Sequence, residues 1–289
     1  MSWLRAWLLV FVFLGSLGVS ASPIDSPSAI SIGFNPGGDP AQIRTLALEL
    51  GEALQRELKI HIEILISKDY EGLVQAMKDK KVDFAFFSAV TFVRAEREAG
   101  AKVLLKKVWT DSTYHSALIA GPKIHKLSEL KGHRVAFVDP ASASGYLYPL
   151  VYLQQNGILS KDLQIVWTGH HSTSVEMLEK GEVDAAAVFA DDSKAKLGAW
   201  TTFGKDPHFK PKVLWVSSDI PNDPFAVRLQ FYEKYPILTH SLMLALIDIF
   251  DEKRDRFSGL LGTKALVPAT SRQYDSVRDM VKKFEGLSQ

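Results

Sequence analysis

Hydrophobic and polar residues follow two different periods along most of this chain. Segments with an apolar residue at every second position, or with an unbroken apolar run, predict strands at 28–34, 60–66, 82–90, 102–109, 114–120, 135–138, 163–167, 183–190 and 212–217. Apolar residues three or four positions apart predict helices between them, the longest at 40–58, 237–250 and 271–287. This alternation of strands and helices predicts an α/β fold, and the nearly continuous apolar run at 82–90 is typical of a strand covered on both faces, as in parallel α/β sheets.

The segment 134–149 contains the clearest sign of chemistry. Its apolar strand ends at Asp139-Pro140, because proline has no N–H to donate to a sheet. Ser142-Ala143-Ser144-Gly145 follows, and the next apolar run predicts a helix. Small residues allow a ligand to approach the backbone, and the free N–H groups and dipole of a helix start favour an anion. The segment therefore predicts an anion site, although a serine that only caps a helix has the same pattern.

A similar unit occurs in both halves of the chain. Val82-Asp83 follows Tyr70 by twelve positions, and Val183-Asp184 follows His171 by the same number. In the second unit a polar turn is predicted at 168–174 and a helix at 175–180. Ligands of open α/β sheets bind beyond the carboxyl ends of the strands. Two facing lobes would therefore place both turns and the segment around Ser142 on one cleft.

Composition and charge narrow the function classes. A chain of 289 residues with 46% hydrophobic and 23% charged residues fits an ordinary soluble protein of one large or two modest domains. The formal net charge of +1 provides no broad basic face, so we expect no nucleic-acid partner and only a local anion site. The absence of cysteine excludes disulfides and cysteine metal sites.

The first residues predict a targeting segment. Arg5 precedes an apolar run at 7–17, and Val19-Ser20-Ala21 has the small-x-small pattern of a cleavage site. The run is too short to span a bilayer comfortably. We expect residues 1–21 to be a cleaved signal peptide. An exported chain without cysteine fits the bacterial periplasm better than a eukaryotic secretory route.

Four segments in order resemble a known family, and Ile220-Pro221-Asn222-Asp223-Pro224 matches a fifth. The four are Asp69-Tyr70 with Val82-Asp83, Tyr114-His115-Ser116, the segment 138–146, and Gly169-His170-His171 with Val183-Asp184. The chain resembles the phosphate/phosphite/phosphonate-binding proteins of ABC importers, the PhnD-like group of periplasmic binding proteins. The resemblance implies a two-lobed, type II-like venus-flytrap fold, with residues 28–114 and 215–289 in one lobe and 118–212 in the other. It also implies a monomer without a cofactor that captures a small phosphorus-containing anion for a membrane permease.

In such proteins the Ser-x-Ser helix start holds the phosphonyl oxygens. The resemblance implies that Ser142 and Ser144 donate hydroxyl and backbone N–H bonds. Ala143 would donate only its N–H, because it stands where the family usually has a threonine. Ser88 lies where the family often carries Gly-Pro, and we assign it to the floor of the pocket.

The remaining ligand contacts that the resemblance implies lie outside this segment. Tyr70 and Tyr114 would donate phenolic O–H groups, and His171 would close the anion shell from the second lobe. Asp191 and Asp223 would meet the far end of the ligand. Since a carboxylate repels a phosphoryl dianion, the two acidic residues predict a ligand with a P–OH or an ammonium group.

Three alternatives stay open on sequence grounds. Ser144, His171 and Asp191 are the residue types of a hydrolase triad, although the segment around Ser144 is not a Gly-x-Ser-x-Gly elbow. His170-His171 and Asp191-Asp192 are metal-type residues, but close ligand spacing is missing. The same fold also serves ligand sensors that signal to a membrane partner. The ligand remains open among phosphate, phosphite, phosphonates and other small anions.

Overall fold

The computed structural model describes residues 26–35, 40–109, 111 and 113–287. The signal peptide predicted at 1–21 lies outside these residues. No helix within the described part of the chain has the length and apolar character needed to cross a membrane.

Strands and helices alternate along the described chain, as the hydrophobic pattern predicts. The strands are β1 (Ala29–Phe34), β2 (His61–Ile66), β3 (Phe84–Phe86), β4 (Ala101–Val108), β5 (Thr113–Ala120), β6 (Arg134–Phe137), β7 (Gln164–Trp167), β8 (Ala185–Ala190), β9 (Lys212–Val216), β10 (Ile220–Pro221), β11 (Pro224–Arg228) and β12 (Ala265–Pro268). The α-helices are α1 (Pro40–Leu58), α2 (Tyr70–Lys78), α3 (Ala89–Ala99), α4 (Tyr148–Gln155), α5 (His171–Glu179), α6 (Ala199–Phe203), α7 (Leu229–Lys234), α8 (Pro236–Glu252), α9 (Arg254–Leu261) and α10 (Asp275–Leu287). A π-helical turn, Ala143–Leu147, precedes α4.

Two mixed sheets organise the molecule. The first has the order β12-β4-β11-β3-β1-β2, with β1 parallel to β2 and β3, and β11 antiparallel to β3 and β4. Buried side chains of α1 and α8 pack with it on one side, and those of α2, α3 and α10 on the other. In the second sheet β6 is parallel to β7 and β8, and β5 is antiparallel to β8. Both sheets therefore combine parallel and antiparallel strand pairs.

The chain passes between the sheets on each side of the segment from β5 to β10. Strands β9 and β10 both pair antiparallel with β5, so the chain returns to the first sheet only at β11. The lobe limits of 28–114 with 215–289, and 118–212, stay predictions.

The repeated Val-Asp pair has the same structural role in both sheets. The Asp83 carboxylate accepts hydrogen bonds from the Ser31 backbone N–H at 3.1 Å and from the Ser31 hydroxyl at 3.0 Å. The Asp184 carboxylate accepts from the Arg134 backbone N–H at 3.0 Å. Each aspartate thus ties the entry of its own strand to the neighbouring parallel strand, β1 or β6. Both carboxylates also pair with an arginine, Arg228 and Arg134 respectively.

Two predicted elements differ from the structure. The apolar run at 82–90 was predicted to be one strand, but β3 covers only Phe84–Phe86 and helix α3 begins at Ala89. Ser88 causes this change, because its side chain accepts the Thr91 N–H and forms a capping box. The polar turn predicted at 168–174 is also shorter, since α5 begins at His171.

Candidate ligand-binding site

One cavity of about 330 Å³ lies where the two sheets face each other, and all nine candidate residues line it. Those nine are Tyr70, Ser88, Tyr114, Ser142, Ala143, Ser144, His171, Asp191 and Asp223. The sequence analysis missed seven further lining residues, namely Lys107, Trp109, Phe189, Thr202, Phe203, Asn222 and Gly262. Trp109 and Phe189 lie near the carboxyl ends of predicted strands, where ligands of α/β proteins bind. This position could have identified them as candidates.

The two serines of the π-helical turn have different roles. The Ser142 hydroxyl caps the turn by accepting the Gly145 N–H at 3.1 Å, and this bond does not use the hydroxyl proton. Ser144 lies inside the turn and is not its cap. Its carbonyl accepts a hydrogen bond from the Ser116 hydroxyl at 2.6 Å. The alternative of a simple cap therefore accounts for Ser142 in part and for Ser144 not at all.

Gly145 is required by packing against the preceding strand. A Cβ at this position would lie 2.5 Å from Cγ2 of Val138 and 2.6 Å from its Cβ, far inside van der Waals contact. The Gly145 carbonyl also accepts the Val138 N–H at 3.0 Å. Glycine thus lets the chain fold back on β6 and brings Ser142 and Ser144 to the cavity.

Helix α3 also begins at the cavity, and its first backbone N–H already has an acidic partner. The Ser88 hydroxyl caps α3 and also lies 3.2 Å from the Ala141 carbonyl, which links this helix to the loop before Ser142. The Ala89 N–H donates to the Asp223 carboxylate. Lys107 lies 3.6 Å from the same carboxylate and compensates part of its charge.

Both tyrosines of the site remain protonated and able to donate. Burial raises the pKa of Tyr70 and of Tyr114 well above the usual value, and the nearby Asp223 carboxylate raises both further. For Tyr114, a hydrogen bond with Ser144 opposes this effect in part. Asp223 thus lies beside the phenols, whereas the electrostatic neighbours of Asp191 are Asp192 and Lys264. The two carboxylates have different surroundings, although the resemblance assigns both to one end of the ligand.

His171 is the first residue of α5 and its ring lies against Phe189, with 5.1 Å between the ring centroids. Its Nδ1 atom is buried and has no hydrogen-bond partner among the described residues. Burial lowers the pKa of His171 from about 6.5 to about 4, and His170 adds to this effect. The imidazole is therefore neutral at pH 7.

This shift makes stability depend on pH. Between pH 6.5 and 4 the unfolded chain binds a proton at His171 that the folded chain does not, so the free energy of unfolding falls as the pH falls. One such group contributes a slope of at most about 1.4 kcal/mol per pH unit. When the free energy of unfolding from urea denaturation is plotted against pH across this window, the slope should be shallower for His171→Gln than for the wild type. Equal slopes for the two proteins would mean that the histidine is not buried in its neutral form.

The adjacent residues Asp191 and Asp192 differ in their surroundings. Asp192 is held in its loop by the backbone N–H groups of Lys194, Lys196 and Leu197, while Asp191 lines the cavity. Within the described residues no three His, Asp or Glu side chains are grouped to hold a metal ion.

A family model gives the broadest match to a known group of proteins. The model is described as "ABC transporter, phosphonate, periplasmic substrate-binding protein" and matches residues 32–274. This range contains every candidate site residue.

Individual relatives extend the comparison. The chain is 26% identical to the phosphate-import protein PhnD of Mycolicibacterium smegmatis over 178 residues, which are 56% of this chain and 56% of that relative. It is 25% identical to the phosphonates-binding periplasmic protein of Escherichia coli over 237 residues, which are 78% of this chain and 69% of that protein. Among solved structures, PhnD1 of Prochlorococcus marinus in complex with methylphosphonate has a TM-score of 0.74 at 17% identity, covering 90% of this chain and 99% of that one. The structural match confirms the two-lobed α/β fold.

Proposed function

Because the chain belongs to the family of periplasmic substrate-binding proteins of phosphonate ABC transporters, we propose that it captures a phosphorus oxyanion in the described cavity and delivers it to a membrane permease. The members of this family bind substrates for transport and are not enzymes, so the hydrolase alternative is set aside. A family of importers also favours delivery over signalling to a membrane sensor. A monomeric state and a cleaved signal peptide at 1–21 are parts of the same proposal.

The observation that carries this proposal is the convergence of neutral donors on one cavity. Helix starts at Tyr70, Ser142 and His171 reach it, together with the phenols of Tyr70 and Tyr114. A tetrahedral oxyanion needs several donors, and each hydrogen bond to a charged group contributes about 1.5–3 kcal/mol. No arginine is among the described residues that line the cavity, and Lys107, which does line it, is paired with Asp223, so selection would rest on the geometry of these donors.

Asp223 supports a more specific assignment of the bound form. Its carboxylate lies near both phenols and is paired with Lys107. Burial raises the pKa of Asp223, and Lys107 and the Ala89 N–H oppose this effect only in part, so an added proton donor would stabilise the carboxylate further. A phosphonate monoanion carries such a donor in its P–OH group, whereas a sulfonate has none. The site would therefore prefer a singly protonated phosphorus oxyanion.

Calorimetric titration tests this function directly. We expect the purified protein to bind at least one of methylphosphonate, phosphite, phosphate and 2-aminoethylphosphonate, and to bind methanesulfonate at least tenfold more weakly than methylphosphonate. Methanesulfonate is the matched control, because it has the same shape and no proton to share with Asp223. Equal affinity for the sulfonate would contradict the role of Asp223. No binding of any phosphorus oxyanion would overturn the function itself.

A further inference from the structure

Besides the two tyrosines, three of the side chains that line the cavity are aromatic, which an anion shell does not require. Trp109, Phe189 and Phe203 all line the cavity, and the rings of Phe189 and Phe203 meet nearly edge to face, with 6.0 Å between centroids. Trp109 is 42% exposed and Phe203 is 39% exposed. Large aromatic side chains that stay this open inside a cavity point to a ligand group that covers them.

The cavity lining also contains a carboxylate without a direct partner. Asp191 lies two positions after Phe189, at the carboxyl end of β8, and lines the cavity with it. Among the described residues it has neither a hydrogen bond nor an ion pair through its carboxylate, unlike Asp192 with its three backbone N–H groups and Asp223 with Lys107. Burial raises the pKa of Asp191, with the charge of Asp192 adding to the effect and Lys264 opposing it. A cation beside this carboxylate would offset the free-energy cost of burying its charge.

We propose that Trp109, Phe189 and Phe203, together with Asp191, form a subsite for a quaternary ammonium group. The substrate class is then a phosphonate whose carbon chain ends in a methylated, permanently charged nitrogen. This inference rests on the proposed function, since the phosphonate end of the molecule is held by the donors around Ser142 and Ser144.

The chemistry of these residues distinguishes a quaternary ammonium from a neutral branched alkyl group of the same size and from a smaller primary ammonium. A neutral branched alkyl group would cover the rings but would add no charge to the partial compensation that Lys264 gives Asp191. A primary ammonium has three N–H donors that the Asp191 carboxylate and the Thr202 hydroxyl could accept, but it is too small to cover the rings as well. A quaternary ammonium has no N–H that needs an acceptor. Its diffuse charge can interact with aromatic faces and also with a carboxylate.

Lys264 indicates that this region already attracts a cation. Its ammonium lies 5.0 Å from the centroid of the Trp109 ring, although Lys264 itself does not line the cavity. Its charge also opposes the rise that burial causes in the pKa of Asp191. A bound ligand cation would share both partners with Lys264 and be repelled by it. Replacing Lys264 with glutamine should therefore increase the affinity for a cationic phosphonate and leave that for a neutral one nearly constant.

Three phosphonates with the same two-carbon spacer test the proposal by calorimetry. They are (2-trimethylammonioethyl)phosphonate, its uncharged isostere 3,3-dimethylbutylphosphonate, and 2-aminoethylphosphonate. We expect the quaternary compound to bind at least tenfold more tightly than each of the other two. Equal binding of the isostere would show a merely apolar wall, and tighter binding of the primary amine would show an ordinary ammonium site; either result overturns the proposal.

Two neighbouring carboxylates provide matched variants. Asp191→Asn should reduce the ratio of quaternary to isostere affinity to near one, while Asp192→Asn, whose carboxylate holds a loop, should keep the wild-type ratio. An unchanged ratio in Asp191→Asn would overturn the role of this residue. If Asp191→Asn does not fold, the wild-type comparison of the three ligands still decides. Methylphosphonate separates the two levels of failure: if it binds without any quaternary preference, only the subsite is wrong, and if no phosphonate binds, the proposed function fails with it.

Discussion

Replacing Asp83 with alanine is expected to lower the free energy of unfolding by about 3–5 kcal/mol. Asp83 and Arg228 are 2.6 Å apart, and each side chain is only 14% exposed. The other carboxylate oxygen accepts both the backbone N–H and the hydroxyl of Ser31. The substitution therefore leaves a guanidinium and a strand N–H buried without their acceptor, and such losses are among the largest that single substitutions cause. Urea unfolding measured by circular dichroism is the appropriate assay.

The second copy of the Val-Asp unit supplies the control. Asp184 pairs with Arg134, but the Arg134 side chain is 40% exposed and reaches water when its partner is removed. Asp184→Ala should consequently cost clearly less stability than Asp83→Ala. Adding Arg228→Met to Asp83→Ala should restore part of the loss, because no charge is then left buried. If the two single variants were equally destabilised, burial of the arginine would not be the cause.

These two aspartates also show which features of the fold are readable from the sequence. A Val-Asp pair before an apolar run marks the entry of a strand in both halves, and in the structure both aspartates accept a backbone N–H of the neighbouring parallel strand. The positions at which strands and helices begin and end were harder to predict from the sequence. The stretch 82–90 is apolar except at Asp83 and Ser88 because β3 and the first turn of α3 are both buried, and periodicity does not separate a buried strand from a buried helix start.

Several elements had no local signal. Strand β12 (Ala265–Pro268) exists because it pairs antiparallel with β4, more than 150 residues earlier in the chain. Helices α6, α7 and α9 have five, six and eight residues, too few to show an amphipathic period. Such short elements depend on tertiary contacts that a single sequence does not reveal.

The polar part of the site was more predictable than its apolar part. Hydroxyl, phenol and imidazole groups at helix starts are unusual enough to be noticed, and the family resemblance ordered them. Phe203, by contrast, ends a five-residue helix that was not predicted. In a sequence, a phenylalanine that lines a cavity cannot be distinguished from one that packs into the core. Whether an aromatic residue packs into a core or lines a cavity is decided by the arrangement of the two sheets.

Replacing Ser144 with alanine is expected to weaken binding of the preferred phosphonate about tenfold to a hundredfold. The Ser144 hydroxyl lies in the π-helical turn at the cavity and is hydrogen-bonded with the Tyr114 phenol. The residue is only 2% exposed. If it donates to a ligand oxygen, its removal costs about 1.5–3 kcal/mol of binding free energy, at about 1.4 kcal/mol per tenfold change. Calorimetry with the ligand that binds the wild type most tightly gives this value directly.

Ser142 and Ser144 differ in what else their substitution removes. Ser142 caps the π-helical turn, so Ser142→Ala combines any loss of ligand contact with about 0.5–2 kcal/mol of lost capping. Ser144→Ala leaves the cap in place but removes the hydrogen-bond partner of the Tyr114 phenol, so its unfolding free energy should fall by about 1–3 kcal/mol. Ser160→Ala, at a serine that does not line the cavity, should bind and unfold as the wild type does. If Ser144→Ala binds as tightly as the Ser160 control, this turn holds no ligand oxygen, and the anion must be bound by the tyrosines and His171 instead.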